Sequence, residues 1–288
     1  MRLRIFTQVY GSKYISWLRD GLLNSLRWPG NLRALKAYAD IWDVYCNPDE
    51  VPVIRDLLSP FEIPIEYHGF YQYDYTHITQ HHCIIHHGRL CAESKKAMFV
   101  APPDTIFGEG SLESLFAYGE APGTCVSMVH MRVNSAINQS WAEPVSNPKL
   151  VSLAFQNMHP TWTYADMTLR KTNSKIAGVA WRKMSGKLWL CQHRLPTCYL
   201  ANINQSDLDW MNRHRTGLWD HGWPEKLVNE QRHRYLGSSD AAFAVELTDM
   251  NANLPDVDDK DVDNPDDYNN EFVHHAVNRG FVTVLRGE

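Results

Sequence analysis

What this chain lacks narrows it at once. No run of apolar residues approaches the roughly 20 that a membrane-spanning helix needs, so no membrane span is expected. Basic charge is not in excess: 28 Lys and Arg stand against 33 Asp and Glu, a formal net charge of −5. A protein that tracks nucleic-acid phosphates by bulk charge needs the opposite balance, so no nucleic-acid partner is expected. A local basic pocket for one nucleotide remains compatible with that charge. The six cysteines, at 46, 83, 91, 125, 191 and 198, show no framework spacing. In a chain of this size that argues for reduced thiols and a cytoplasmic setting. The opening stretch, Met1-Arg-Leu-Arg-Ile-Phe-Thr-Gln-Val-Tyr10, has a short apolar run and no small-residue cleavage site. It reads as a first strand, not a signal peptide.

What is present is enough for a large core. The chain has 288 residues, 44% of them hydrophobic, which suits one large domain or a domain with an appendage. Residues 2–10 alternate as a strand does. Tyr14 to Leu26 places Ile15, Leu18, Leu22 and Leu26 at helical spacing, and Trp28-Pro-Gly-Asn31 stops it. Strands follow at Ile41–Cys46 and Ile63–Tyr67, with a short helix at Val53–Leu58 between them. A long helix over Tyr75–Lys96 leads to a strand at Ala97, a helix at Ser111–Tyr118 and a fifth strand at Thr124–Val133. Such alternation predicts an α/β fold, with a mostly parallel sheet covered by helices on both faces.

The second half is less regular. It offers a helix at Lys149–Met158, a hairpin around Gly186, an acidic tract from Asp256 to Asp267, a helix-like piece at Asn270–Val277 and a terminal strand at Phe281–Leu285. No linker is long enough to separate independent domains. Residues 1–135 are expected to form the α/β half, and residues 136–288 to complete the same domain. The ten Trp and thirteen Tyr are expected to fill the core, with some in the second half offering flat faces to a sugar.

One stretch concentrates the chemistry: Ala97-Met-Phe-Val-Ala-Pro-Pro-Asp104-Thr-Ile-Phe-Gly-Glu109-Gly-Ser-Leu112. An apolar strand delivers a lone acid to its carboxyl end, where ligands gather in open α/β sheets. Further polar islands are Cys191-Gln-His193-Arg194, Trp219-Asp220-His221-Gly-Trp223 and Ser238-Ser-Asp240-Ala-Ala-Phe243.

The order of elements, with Ala101-Pro-Pro-Asp104 closing the fourth strand, resembles nucleotide-sugar glycosyltransferases of the GT-A fold. The resemblance covers the architecture of residues 1–135 and is looser beyond. In that family the fourth strand ends in a carboxylate motif, often Asp-x-Asp, that binds a divalent metal, which in turn holds the donor's diphosphate. This chain has one acid where the family commonly has two. The resemblance implies a nucleoside diphosphate sugar donor, a carbohydrate or other hydroxyl acceptor, and Mn²⁺ or Mg²⁺ on Asp104, with His193 completing the metal or diphosphate site. Arg194 would serve the phosphates by bidentate hydrogen bonds. An inverting reaction needs a base near the acceptor hydroxyl, for which Asp240, Asp220 and Glu109 are the candidates. Thr7, Gln8 and Tyr10 at the first strand end would meet base and ribose, and Asp43 would accept from a uracil or guanine edge.

Two other readings stay open. One is a non-catalytic nucleotide- or sugar-binding domain on the same scaffold. The other is a metal-dependent hydrolase built on His77, His81, His82, His86 and His87, where His82/His86 and Cys83/His87 each share a helix face. No Glu follows the first His, so the His-Glu-x-x-His pattern is missing. The tract Asp259-x-Asp261-x-Asp263 starts like an EF-hand loop but lacks the glycine at its sixth place, so a solvated acidic loop is expected.

Overall fold

The structure is a computed structural model. It describes residues 1–69, 76–120, 123–137, 140–163, 166, 168, 171–173, 179–193, 198–214, 223–252, 257–259 and 281–288. The chain opens with β1 (Leu3–Gln8) and α1 (Gly11–Trp17), which passes through a π-helical turn at Leu18–Leu22 into α2 (Leu23–Arg27). Then come α3 (Pro29–Tyr38), β2 (Ala39–Tyr45), α4 (Val51–Leu58), β3 (Ile65–His68), α5 (Thr76–Ser94), β4 (Ala97–Val100), β5 (Thr105–Phe107), α6 (Ser111–Tyr118), β6 (Cys125–Ser127) and β7 (His130–Asn134). The second half contributes α7 (Asn147–Gln156), α8 (Pro160–Thr163), β8 (Lys171–Asn173), β9 (Val179–Ser185), β10 (Leu188–His193), β11 (Cys198–Ala201), α9 (Gln205–Arg213), α10 (Trp223–Asn229), β12 (His233–Tyr235), β13 (Ala244–Thr248), β14 (Val257–Asp259) and β15 (Phe281–Arg286).

The central sheet has seven strands in the order β12-β6-β11-β4-β1-β2-β3. All run parallel except β11, which is antiparallel to both its neighbours. From β1 the chain builds outward on one side through β2 and β3, then returns to place β4 on the other side. The order therefore reverses between β1 and β4, and in open α/β sheets ligands bind beyond the carboxyl ends at such a reversal.

Helices cover both faces because the strands bury both. Leu3, Ile5 and Val9 of the first strand segment join the core under α1 to α4 and α6. Phe6 points the other way, with Met98 and Val100, into a core completed by Ile84 and Ile85 of α5 and Leu227 of α10. Helix starts are marked locally. Ser146 caps α7 by accepting from the Lys149 N–H, and at the start of α9 the Asn204 side chain accepts the Asp207 N–H (3.0 Å) while the Asp207 carboxylate accepts the Asn204 N–H (2.9 Å).

Two expectations are corrected here. Thr124–Val133 is not one strand. It breaks at Met128-Val129, with β6 in the central sheet and β7 in a separate three-stranded sheet, β5-β13-β7. Five tryptophans of the second half, Trp141, Trp162, Trp181, Trp189 and Trp223, are buried in the core and offer no flat face; Trp210 is partly exposed, and Trp219 lies outside the described residues. The hairpin around Gly186 is present as β9 and β10, joined at a residue whose φ of +50° suits glycine. The terminal strand is present as β15 alongside β10. The helix-like piece at Asn270–Val277 and most of the acidic tract lie outside the described residues.

Candidate active site at the strand ends

Asp104 lies just past β4, beyond the reversal point. A turn closed by the Thr105 N–H on the Pro102 carbonyl (3.1 Å) sends the chain from the central sheet into β5. There β5 pairs antiparallel with β13, which puts Thr105 opposite Glu246, and the Asp104 backbone carbonyl accepts the Leu247 N–H at 2.8 Å. On its other side β13 pairs with β7, so Arg132 lies opposite Glu246 and His130 opposite Ala244. The sheet thereby gathers acids and bases that are far apart in sequence. Arg132 Nε donates to Glu246 Oε1 at 3.0 Å, and His130 Nε2 stands 3.3 Å from Oε2.

The two carboxyls are driven apart in charge. Burial raises the pKa of Asp104, and the neighbouring Glu246 raises it further, from 3.8 to about 7. Glu246 feels the same burial, but Arg132 and then His130 hold it below the usual carboxylate range. This is the signature of two acids sharing a site: one stays ionised and the other takes up the strain.

Helix α1 borders the site through Lys13 and Tyr14. Burial, with Asp104 the next contributor, pushes the Tyr14 phenol up to about 12. Tyr14 meets Tyr10 at 5.3 Å and the edge of Trp17 at 5.3 Å. Lys13 pairs with Asp249 and sits 4.4 Å over the Trp17 ring. The Lys13–Asp249 pair thus ties α1 to the turn after β13, beside the carboxyls.

The other residues expected at a site fall in several places. Gln8 and Tyr10 are at the carboxyl end of β1, and the buried Gln8 Nε2 finds no hydrogen-bond partner among the described residues. Thr7 is occupied: its hydroxyl donates to the Ala101 carbonyl and accepts from Trp42 Nε1, both at 3.0 Å, so it joins β1 to β4 and β2 instead of facing a ligand.

Asp43 is also occupied. It is fully buried, clamped by Arg4 through two bonds of 2.8 and 2.6 Å and bonded to His68 at 2.8 Å, while His87 Nδ1 approaches at 3.2 Å out of line for a hydrogen bond. The Asp43 side chain is wholly enclosed by these groups, so neither oxygen faces a base edge. Glu109 accepts the Gly30 N–H at 2.8 Å and so caps α3 from a distance. Asp240 is exposed, 3.3 Å from Arg286, and precedes β13 at the end opposite Phe107, away from Asp104. His193 ends β10 opposite Phe281, with its side chain outside the described residues, as are Arg194 and Asp220.

Two groups of side chains bear on metal binding. Asp104 and Glu246 are hard oxygen donors with surplus negative charge, which a divalent cation would relieve; in that respect they fit Mn²⁺ or Mg²⁺. Among the described residues, Asp43, Glu66 and His68 also bring their ligand atoms within 4.8 Å of one another. That group already holds a cation, because Arg4 Nη2 bridges Asp43 (2.6 Å) and Glu66 (2.5 Å).

Among the described histidines of α5, no three bring their ligand atoms together on their own helix. His87 is fully buried with Cys91 at 3.5 Å, His81 is buried and bonds the Met211 carbonyl at 3.2 Å, and His82 and His86 are exposed. Glu246, the missed member of the site, carries the same signal as Asp104: one acid in the otherwise uncharged strand Phe243-Ala-Val-Glu246-Leu-Thr.

No family model matches the chain, and no curated protein does. Solved structures resemble it remotely. An inositol-1-phosphate CTP transferase from T. maritima is 10% identical over 86% of this chain and 90% of its own, with a TM-score of 0.42. A 4-diphosphocytidyl-2C-methyl-D-erythritol synthase from Anaerococcus prevotii is 11% identical over 48% of this chain, with a TM-score of 0.31; the chain spans 56% of its length. Mouse xyloside xylosyltransferase 1 is 9% identical over 47% of this chain and 54% of its own, with a TM-score of 0.31. Likeness at this level assigns no reaction. No helix among the described residues is long and apolar enough to cross a membrane.

Proposed function

We propose that the protein transfers a sugar from a nucleoside diphosphate sugar to an acceptor hydroxyl, with the donor lying across the carboxyl ends of β1 and β4. The observation that supports this most is the placement of Asp104 at the reversal of strand order, paired with Glu246 and pushed up to about 7 by burial and that neighbour. A structural acid would be relieved of such strain, whereas an acid meant for a cationic or hydroxyl-bearing ligand keeps it until the ligand arrives. Asp104 and Glu246 would hold Mn²⁺ or Mg²⁺, which supplies charge stabilisation to the departing diphosphate.

Arg132 and His130 keep Glu246 ionised and oriented. Tyr10 and Gln8, at the carboxyl end of β1, would meet base and ribose. Of the carboxylates considered as acceptor base, Glu109 caps a helix and Asp240 sits at the far end of β13, which leaves Asp220, outside the described residues, as a candidate from the sequence alone. Most of the rate would come from positioning and electrostatics.

A thermal-shift panel tests the reading. UDP, GDP, CDP and dTDP, each with Mn²⁺ or EDTA, should include at least one nucleotide that raises the midpoint through mass action on the folded form. The cation-dependent part of that rise should vanish in Asp104→Asn. A panel without any shift, or a shift untouched by that substitution, overturns the assignment.

A further inference from the structure

A second site emerges where α5 crosses the ends of β2 and β3, sharing no residue with the Asp104 site. His68 ends β3, and its Nε2 bonds Asp43 at 2.8 Å. Its ring stacks on Tyr45 with centroids 4.8 Å apart. His86 reaches the same place from α5, exposed, with Nδ1 bonded to the Tyr45 hydroxyl at 2.8 Å.

Each ring is therefore held at one nitrogen by an oxygen partner. When that nitrogen carries the proton, the other keeps its lone pair, which is the arrangement that prepares an imidazole to ligate a metal. The two ring centres lie 5.1 Å apart, with planes at 71°. A tetrahedral ion bound at about 2.0–2.1 Å to two imidazoles, with about 1.1 Å more to each ring centre, sets those centres roughly 5.2 Å apart. His82 lies one turn before His86 on the same helix and is also exposed, the i, i+4 pairing with which helices ligate zinc.

We propose that His68, His82 and His86 bind one divalent transition-metal ion of the zinc, cobalt or nickel type, with His82 closing the site by side-chain rotation. Imidazole donors select these ions over Mg²⁺ and Ca²⁺. The inner side of His68 belongs to the cluster that Arg4 already neutralises, so the metal takes the outer face and Arg4 stays in place. The ion would pin α5 to the edge of the sheet and has no part in sugar transfer.

The test is a Co²⁺ titration of the full chain, free of any histidine tag, at pH 7.5, read by visible absorption and repeated calorimetrically with Zn²⁺. One equivalent should bind. His86→Ala and His82→Ala, both at exposed positions, should each weaken binding at least tenfold. Tyr45→Phe, which removes only the hydroxyl that orients His86, should weaken it by about ten- to a hundredfold. Asp104→Asn should leave it unchanged. The proposal fails if no equivalent binds, or if His86→Ala binds as the natural chain does while its far-UV circular dichroism is unaltered.

Discussion

Asp104→Asn should make the protein more stable above pH 7. The folded state raises the pKa of Asp104 from 3.8 to about 7. A carboxyl raised on folding favours the protonated form, so its contribution to stability is intact below 3.8, declines as pH rises, and is fully lost once pH passes 7. Ionising a carboxyl against that shift costs on the order of 4 kcal/mol at most. The site is partly exposed and Glu246 shares the charge, so a cost of about 1–2 kcal/mol is the better working figure. Asparagine keeps the shape and never ionises. Its gain should therefore be about 1–2 kcal/mol at pH 8.5, roughly 2–6 °C in midpoint for a chain of this size, and less than half of that at pH 5. Melting curves followed by circular dichroism in EDTA at both pH values check this. A lower midpoint for the variant at pH 8.5, or an equal gain at the two pH values, would refute the picture of a strained acid at the strand end.

Other consequences follow from the same contacts. Glu246→Gln removes the charge that, after burial, holds Asp104 up; the Asp104 carboxyl, followed by carbon-detected NMR titration, should then move down toward its ordinary value. Glu109→Ala should cost about 1 kcal/mol by uncapping α3 yet leave turnover intact, measured by denaturation and by sugar transfer in parallel. Arg4→Met leaves Asp43 buried without its main cation and should cost about 3–5 kcal/mol in urea unfolding. Asp43 itself is held far below the usual carboxylate range by His68, His87 and Arg4 against the opposing pull of burial. Its stabilisation is present above about pH 4 and lost as pH falls further, so the natural chain should unfold more steeply in acid than Asp43→Asn.

The pieces of this fold that depend on local pattern were legible in the sequence. Ser111–Tyr118 is a helix to the residue, because Gly110 takes a φ of +77° just before it and Gly119 follows its end. The strands at the start of the chain alternate with helices, and that alone implied a parallel sheet. What was illegible depends on contacts between distant segments. Thr124–Val133 has unbroken β propensity, and only the pairing of β7 with β13 shows where it divides. The antiparallel β11, threaded between β4 and β6, comes from residues about a hundred positions later.

The site divides the same way. Asp104 was visible as an acid ending an apolar strand, but its partner Glu246 is 142 residues on and meets it only through β5. Glu109 and Asp43 look like free acids in sequence; one caps a helix 79 residues earlier and the other is enclosed by Arg4 and two histidines. Much of the aromatic richness is core volume, as the buried Trp28, Trp42, Trp141, Trp162, Trp181, Trp189 and Trp223 show. Trp17 and Trp210 are the described tryptophans that retain partial exposure, and Trp17 lies beside Lys13 at the site.

The central claim is that Asp104 and Glu246 face an activated sugar. Its most direct measurement is the release of nucleoside diphosphate from a set of UDP-, GDP-, CDP- and dTDP-sugars, with Mn²⁺ and without acceptor, followed by chromatography. One donor should lose its sugar to water slowly in the natural chain and at least a hundredfold more slowly in Asp104→Asn. Release of pyrophosphate from a nucleoside triphosphate and a sugar phosphate, with no cleavage of any sugar nucleotide at the glycosidic bond, would contradict the account.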